Sequence, residues 1–449
     1  MSMNHLCGTQ SLMIIFMRNV SMETQNSVSD HTIFNIASVS KQFTAFCILK
    51  LAEEEKLYLD DSIQKYIPEL PDFGKKITLN HLLSNTSGIP EYLEILGLTN
   101  QYKDKRLDHD YMLEFYKKYH TLSFVPGERF SYSNAGYMLL CLVVQRVSGS
   151  DIGQYAEKHI FKPLQMQTAR FTKKESDGLT DGTRSYYLKK GKFRPHKPIQ
   201  PNAMGATGVF CSLDDYRKWD HNFSFPTDDT KHIVAKMKTE YVFNDGQKSG
   251  YGAGIILKPY KGFLSEEHSG GWNSFLVQFR RLPELGLSVF VASTSADYLP
   301  FKICDQITDI FLPNQNQSSF SNKQADHDIN TFVGTYLDAN NVLRSVVVKN
   351  DTLAIAHYKD SSKVIQKLGY LNTLNDTLIL YIDTALDTVQ FVQKDGNIMG
   401  FYWKGSTYFR FNRYYKKLDP NASDFATLSG KYSSEELNFS FRIKNKSKR

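Results

Sequence analysis

The spacing of apolar residues divides the chain into a helix-rich first part and a second part of short strands. In the first part, Phe43, Phe46, Cys47 and Leu51 recur at helical spacing and predict a buried helix that begins near Ser38. Similar patterns predict helices at 79–84, 110–119, 138–149, 150–160, from 212 onward and at 298–312. Apolar runs predict strands at 12–17, 251–257, 274–282 and 287–293.

The second part follows a polar linker. Residues 314–326 are rich in Asn, Gln, Ser and Lys, which is typical of a linker. Short alternating strands then predict a small up-and-down barrel or sandwich, at 345–348, 353–355, 377–380, 389–392 and 408–411. Phe332-Val333-Gly334-Thr335-Tyr336 is similar to Leu428-Ser429-Gly430-Lys431-Tyr432, which opens an incomplete repeat. We therefore predict a domain at 1–312, a linker at 313–326, a barrel domain at 327–426, and the start of a repeat or a tail at 427–449.

Composition excludes several classes of function. The formal charge is only +7 over 449 residues, and part of it lies in the basic tail 444–449, so no nucleic-acid partner is predicted. A membrane-spanning helix needs about 20 apolar residues, whereas the run at 12–17 is short and lacks the flanks of a signal peptide. We therefore interpret this run as a buried strand and predict no transmembrane segment.

The cysteines and histidines predict no metal or cofactor. The five cysteines are scattered, and no two have Cys-x-x-Cys spacing, so buried free thiols are expected at Cys7, Cys47, Cys141, Cys211 and Cys304. The histidines show no His-Glu-x-x-His spacing.

Ser38 and Lys41 are the first candidate catalytic pair. A serine hydroxyl is a weak nucleophile at neutral pH and needs a nearby base. Because residues three apart share a helix face, Lys41 can reach the Ser38 hydroxyl, and burial would lower its pKa. The alternative is a capping serine beside a solvated lysine. Ser62-Ile63-Gln64-Lys65 repeats the spacing, so the pair alone decides nothing.

Three separated segments together resemble a known set of motifs: Ser38-Val39-Ser40-Lys41, Tyr132-Ser133-Asn134 and His268-Ser269-Gly270-Gly271. In this order they resemble the serine β-lactamase/penicillin-binding-protein superfamily, in particular its class C-like and D-alanyl-D-alanine-carboxypeptidase-like branch. Flanking residues also match, at 43–45, 82–88, 126–128, 137–140 and 251–254. The resemblance covers about residues 20–312.

The resemblance implies an α+β fold class, with an antiparallel sheet flanked by helices and an all-helical subdomain, as in β-lactamases and transpeptidases. A small antiparallel β-barrel domain would follow, which resembles the lipocalin-like modules found on some of these hydrolases. Only about 33 residues precede the serine helix, so the N-terminal strands of the first domain are expected to be truncated.

The resemblance also implies a role for each motif residue. Ser38 would be the nucleophile that accepts the acyl group, and Lys41 would take or relay its proton. Tyr132 would act as general base in acylation and as acid toward the leaving group. Asn134 would bind a substrate carbonyl and Lys41, and His268 would orient Tyr132 or the substrate carboxylate.

The remaining motif positions, Ser269, Gly270 and Gly271, would bind substrate. The backbone N–H groups of Ser38 and Gly271 would form the oxyanion hole. This sequence departs from the family pattern at Asn85, where histidine is common, at Gln165, where glycine is common, and at Asn273-Ser274, where Pro-Gly is common.

Two of these assignments have competitors in the chain. Tyr370-Leu371-Asn372 is a second Tyr-x-Asn, and Lys248-Ser249-Gly250 matches the lysine form of the third motif more closely than His268-Ser269-Gly270 does. We favour His268 because a double glycine and a strand follow it. Lys248, in contrast, precedes its strand in a polar turn.

The resulting hypothesis is a serine hydrolase that forms an acyl-enzyme on Ser38 and acts on amide, β-lactam or ester carbonyls. A small molecule or a peptide is the expected substrate, with peptidoglycan-type D-amino-acid peptides as a natural candidate. The alternatives are a catalytically weak or inactive binding or sensor protein on the same scaffold, and a non-functional fragment. The resemblance implies the periplasm or cell envelope as the compartment, and no oligomeric state is predicted.

Overall fold

The computed structural model describes residues 10–15, 28–98, 107–119, 121–197, 203–295 and 299–312, and then 332–338, 343–349, 352–357, 360–374, 377–382, 385–394, 397–403, 406–410, 430–434 and 439–443. The chain forms two compact units, Met1–Pro313 and Asn314–Arg449. The helices of the first unit are α1 (Lys41–Glu53), α2 (Leu79–Leu83), α3 (Tyr92–Leu98), α4 (His109–Lys118), α5 (Asn134–Ser148), α6 (Ile152–Ala156), α7 (Glu175–Gly178), α8 (Leu213–Ser224), α9 (Lys231–Met237) and α10 (Pro300–Phe311). Its strands are β1 (Gln10–Ile15), β2 (Ile33–Asn35), β3 (Arg170–Phe171), β4 (Tyr186–Lys189), β5 (Lys192–Pro195), β6 (Val209–Ser212), β7 (Ile256–Tyr260), β8 (Phe263–Trp272), β9 (Phe275–Leu282) and β10 (Leu287–Ser293).

A five-stranded sheet forms one layer of the first unit, in the order β1-β10-β9-β8-β7. Strands β7 to β10 are antiparallel, and β1 pairs in parallel with β10. The predicted strand at 251–257 is wrong at its start, because Gly254 has a φ of +76° and the strand begins only at Ile256. Strand β8 was not predicted, since its glycine pair is unusual in a strand interior.

Two buried helices, α1 and α5, form the centre of the helical layer. All residues of α1 from Lys41 to Leu49 are buried, and Ala135 to Val144 of α5 are buried too. Ser133 caps α5 by accepting from the Gly136 N–H, and Gly149 ends it with a φ of +71°. Within the described residues, no helix has the length and apolar character needed to cross a membrane.

Most predicted helix ends match the structure to within a few residues. Thr78 caps α2 in a capping box with His81, and Ser212 caps α8 by accepting from the Asp215 N–H. The predicted helix at 150–160 differs, because Asp151 is its cap and a π-helical turn follows at Glu157–Phe161. Helix α3 was not predicted.

The second unit consists of antiparallel strands: β11 (Gly334–Asp338), β12 (Leu343–Lys349), β13 (Thr352–His357), β14 (Asp360–Leu374), β15 (Thr377–Ile382), β16 (Ala385–Lys394), β17 (Asn397–Trp403) and β18 (Ser406–Arg410). Each pairs with the next, and β11 also pairs with β18, which closes the set. The last two strands, β19 (Gly430–Ser434) and β20 (Phe439–Ile443), pair with each other. The lipocalin-like character and the predicted domain boundaries stay predictions.

Buried charges join the sheet to the helices on both of its faces. Arg281 of β9 donates to Glu266 of β8 at 2.6 Å and to Asp220 of α8 at 2.8 Å. The next residue, Arg280, points the other way, because successive strand residues face opposite sides. It donates to Glu267 at 2.8 Å and to Asp305 of α10, also at 2.8 Å. Each guanidinium therefore links β8 and β9 to a helix on its own face.

We expect Asp220→Ala to destabilise the first unit by about 3–5 kcal/mol, because it leaves a buried guanidinium short of its partner. Asp228→Ala is the matched control, since Asp228 pairs with Lys231 but its side chain is 96% exposed. An exposed pair of this kind contributes about 1 kcal/mol or less. Urea unfolding followed by circular dichroism measures both changes. Equal losses in the two variants would contradict the structural role of the buried charges.

Candidate active site

Ser38 lies in a 3-10 turn, Ala37–Ser40, which leads directly into α1. Ala37 has a φ of +47°, a left-handed conformation that costs an alanine roughly 1–2 kcal/mol. The side chain of Ser38 is half-buried, whereas its neighbours in the turn are buried. The strained turn therefore exposes a single hydroxyl at the start of a buried helix.

The Lys41 side chain is fully buried one turn beyond Ser38. Its Nζ lies 3.3 Å from the Ser38 Oγ, 2.8 Å from the Asn134 Oδ1 and 3.0 Å from the carbonyl oxygen of Ala206. Burial lowers the pKa of Lys41 to about 7, and the charge of Glu91 opposes this shift. A large fraction of Lys41 is therefore a neutral amine at neutral pH.

The hydrogen bonds of Lys41 determine where its lone pair points. Asn134 Oδ1 and the Ala206 carbonyl can only accept hydrogen bonds, so they use both N–H groups of the neutral amine. The lone pair then faces Ser38, the third neighbour. In this state Lys41 can accept the proton of the Ser38 hydroxyl.

Glu91, which was not identified from the sequence, holds the start of α5 and the Asn134 side chain in position. It accepts hydrogen bonds from the Ser133 hydroxyl at 3.0 Å and from the Ala135 N–H at 3.1 Å. A longer bond of 3.5 Å from the Asn134 Nδ2 directs the Oδ1 of that side chain toward Lys41. In the structure Glu91 directly precedes α3, and in the sequence no motif distinguishes it from the other carboxylates.

Tyr132 lies just before α5, and its ring contacts Lys41. The Lys41 Nζ is 4.7 Å from the ring centroid. Burial raises the pKa of Tyr132 well above its usual value, and a hydrogen bond with Ser38 opposes the shift. The phenol is therefore protonated at neutral pH and can donate a proton.

Asn85 binds the backbone N–H groups of the residues immediately before and after Tyr132. Its carbonyl oxygen accepts from the Ser131 N–H at 2.8 Å, and its Oδ1 accepts from the Ser133 N–H at 3.0 Å. Asn85 itself has a φ of +57°, a conformation that asparagine adopts more readily than most residues. The asparagine side chain, at a position where histidine is common in the family, thus fixes the backbone just after Tyr132.

His268 is buried on β8, with its ring centroid 6.0 Å from that of Tyr132. Its Nδ1 lies 2.6 Å from the carbonyl oxygen of Ser269, which can only accept, so Nδ1 carries the proton. Its Nε2 then accepts from the Tyr251 hydroxyl at 3.2 Å. Burial, aided by the charge of Lys41, lowers the pKa of His268 to about 4. His268 is therefore neutral, and its side-chain hydrogen-bond partner is Tyr251. Its expected role in orienting Tyr132 or a substrate carboxylate stays a prediction.

The glycines after His268 bring β8 against the serine turn. A Cβ atom on Gly270 would lie 2.6 Å from the Ile36 carbonyl oxygen and 3.0 Å from the Ser38 nitrogen. Only glycine allows this approach, which brings the strand beside the Ser38 backbone amide. Ser269 and Gly271 are exposed on the same strand, where they are open to a ligand.

The lysines of the two competing motif copies in the first unit, Lys65 and Lys248, are exposed. The Lys65 side chain is 55% exposed and pairs with Asp61, and the Lys248 side chain is 72% exposed and pairs with Glu240. Tyr370-Leu371-Asn372 belongs to the second compact unit. Neither Lys65 nor Lys248 therefore repeats the buried contact that Lys41 makes with Ser38.

In the part of the chain that the structure describes, no group of His, Cys, Asp or Glu side chains is arranged to hold a metal ion. Cys47, Cys141, Cys211 and Cys304 are buried free thiols, as predicted. The fifth, Cys7, lies outside the described residues.

The fold of the first unit agrees with comparisons to known proteins. Residues 17–304 match the beta-lactamase family model, and the chain belongs to this family. The chain is 26% identical over 272 residues to penicillin-binding protein 4* of Bacillus subtilis, covering 57% of this chain and 59% of that protein. It is 25% identical over 256 residues to a D-aminopeptidase of Brucella anthropi, covering 56% of this chain and 48% of the relative. These matches thus span about half to three-fifths of each relative.

A solved structure extends the comparison over most of the chain. The octameric penicillin-binding protein homologue from Pyrococcus abyssi superposes with a TM-score of 0.57 at 26% identity, over 87% of this chain and 91% of that chain. The superfamily resemblance and the α+β fold class of the first domain are therefore confirmed.

We expect Glu91→Gln to lower the pKa of Lys41 below its value of about 7, because the Glu91 charge raises it. The measurement is the pH titration of the ¹³Cε resonance of Lys41 in lysine-labelled protein, assigned by its loss in Lys41→Met. Glu94→Gln is the control, since Glu94 lies three residues further along and is exposed. A midpoint that is unchanged in Glu91→Gln, or that moves equally in the control, would contradict this coupling.

Proposed function

We propose that the protein is a serine hydrolase that forms an acyl-enzyme on Ser38. The observation that carries the proposal is the contact between the half-buried Ser38 hydroxyl and a buried lysine whose pKa is about 7. An exposed lysine titrates near 10.4 and would be charged at neutral pH. Only a neutral amine can remove the serine proton, so burial of Lys41 supplies the base that acyl transfer needs.

Acylation would begin with attack by the Ser38 hydroxyl and end with both proton-transfer groups back in their starting states. The Ser38 Oγ attacks the substrate carbonyl carbon while its proton passes to the Lys41 amine. The bond from that carbon to the leaving nitrogen or oxygen breaks, and Tyr132 donates its phenolic proton to the departing atom. The Lys41 ammonium then reprotonates Tyr132. A water molecule later attacks the ester on Ser38, which releases the acid and restores the hydroxyl.

The division of proton-transfer roles follows from the two pKa directions. Burial lowers the pKa of Lys41 toward neutrality and raises that of Tyr132 above its usual range. We therefore assign the base of acylation to Lys41 and the acid to Tyr132, which differs from the base role that the family resemblance implied for Tyr132. His268 is neutral and contacts Tyr251. We therefore assign it a positioning role through Tyr251 and no proton-donating role.

The backbone amides of Ser38 and Gly271 would stabilise the oxyanion. Support comes from the close approach of Gly270 to the Ser38 nitrogen, which brings the following residue of β8 to the edge of the site. Loss of one such donor typically raises the barrier by about 2.7–4 kcal/mol. Asn134 would bind a substrate carbonyl while it holds Lys41.

The substrates would be amides, β-lactams or esters, and peptidoglycan-type D-amino-acid peptides remain a candidate. The names of the relatives, a penicillin-binding protein and a D-aminopeptidase, support this range for the family. A binding or sensor protein on the same scaffold would not need the contact between Ser38, Lys41 and Tyr132. The first test therefore distinguishes covalent chemistry from binding.

We expect a fluorescent penicillin or a fluorophosphonate to add covalently to the wild-type protein, as measured by intact-protein mass spectrometry. Ser38→Ala should lose the adduct completely, because Ser38 supplies the serine hydroxyl that contacts the buried amine. Ser62→Ala, in the second Ser-x-x-Lys copy, is the matched control and should retain it. The absence of an adduct with both probes would contradict the proposal, and an adduct that survives Ser38→Ala would place the nucleophile elsewhere.

We expect Tyr132→Phe to reduce kcat/KM by about 10²–10⁴-fold, which is the usual contribution of a positioned proton donor. The loss should be smaller for an ester with a good leaving group, since such a group needs no proton to depart. Tyr370→Phe, in the second Tyr-x-Asn, serves as the control and should leave the rate unchanged. Equal rates in wild type and Tyr132→Phe for a poor leaving group would rule out the acid role.

A further inference from the structure

The hairpin formed by β4 and β5 carries an unusual concentration of positive charge. Between Asp181 and Asp214 the sequence contains no acidic residue. The same stretch contains six basic residues, at Arg184, Lys189, Lys190, Lys192, Arg194 and Lys197. The whole chain has a formal charge of only +7, so this segment is a local basic surface on a nearly balanced protein.

The basic side chains of the hairpin are exposed to solvent. Lys189, Lys190, Lys192 and Arg194 are all exposed. None of these four forms an ion pair with a carboxylate among the residues that the structure describes. The register places Lys189 directly opposite Lys192 across the turn. Like charges in such a pair repel and destabilise the hairpin, and a bound anion would reduce this repulsion.

Apolar side chains alternate with these cations on the same hairpin. Tyr187 is 37% exposed, Leu188 is 48% exposed and Phe193 is 37% exposed. Leu188 and Phe193 are cross-strand partners. The surface can therefore contact an apolar or sugar-like scaffold while its cations bind the charges that this scaffold carries.

The base of the hairpin is attached to the rim of the candidate active site. The His196 Nε2 lies 2.8 Å from the Ser274 Oγ, and the Asn273 Nδ2 donates to the Lys197 carbonyl at 3.2 Å. Asn273 and Ser274 form the turn between β8 and β9, two residues beyond Gly271. A strand of four residues extends roughly 13 Å. The cations therefore lie on the order of 10–20 Å from Gly271 of β8.

We propose that this hairpin binds the distal, anionic part of a polymeric substrate whose scissile carbonyl reaches Ser38. This inference rests on the proposed hydrolase function and adds a substrate class to it: an acyl compound that carries several carboxylate or phosphate groups at some distance from the reacting bond. The hydrogen bonds between the hairpin and the turn after β8 favour a substrate over an anionic membrane. A surface that only bound a membrane would not need to lie beside the strand that carries Gly271.

The first test compares two esters with the same scissile carbonyl, one with a neutral ethylene-glycol tail and one with an oligoglutamate tail. Lys189→Glu/Lys190→Glu should lower kcat/KM for the anionic ester by about tenfold or more, and leave the neutral ester unchanged. The effect should shrink at high salt, because exposed charges are screened. Lys75→Glu/Lys76→Glu, a consecutive pair of exposed lysines outside the hairpin, is the matched control and should change neither rate.

A binding measurement keeps this inference separate from the hydrolase proposal. Fluorescein-labelled oligoglutamate is titrated by anisotropy into Ser38→Ala protein and into the same protein with the Lys189→Glu/Lys190→Glu change. Salt-sensitive binding that the hairpin change abolishes supports the inference even if no adduct forms on Ser38. Equal affinity in both proteins, or binding only to vesicles of anionic phospholipid, would overturn it.

Discussion

The buried amine of Lys41 depends on several separate parts of the first unit at once. Removing an ammonium from water costs several kcal/mol, so a protein buries lysine only where the neutral form or nearby acceptors make this tolerable. Here Lys41 has a pKa of about 7 and meets three oxygen atoms from three separate segments. Each of these segments must be held in place for the amine to remain buried.

Close backbone packing holds those segments. Gly254 approaches Lys41 so closely that a Cβ atom there would lie 2.9 Å from its carbonyl carbon and oxygen. Gly270 packs still more closely against the serine turn from the side of the sheet. The buried guanidinium of Arg281 then fixes β8 and β9 against α8. The position of a single amine thus depends on contacts that extend through both layers of the fold.

The same environment separates the proton-transfer groups by pKa. Lys41, Tyr132 and His268 share one largely buried region, yet burial acts on each group according to its charged form. It favours the neutral amine, the protonated phenol and the neutral imidazole. Glu91 is the nearby carboxylate that opposes this trend for Lys41, and it reaches Asn134 as well. A neutral amine and a protonated phenol therefore lie close together at neutral pH.

The sequence alone predicted the buried helix that begins near Ser38, the helix at 138–149 and the family, and it pointed to the three motifs. These features depend on local spacing, which a linear pattern records. It did not determine which Ser-x-x-Lys is buried, or reveal Glu91, Asn85 or Tyr251 as partners of the motif residues. Nor did it predict β8, because glycine is unusual inside a strand. The reason for Gly270 is its close packing against the serine turn. Those decisions belong to the tertiary structure, because hydrogen bonding and desolvation depend on residues that are distant in the chain and meet only after folding.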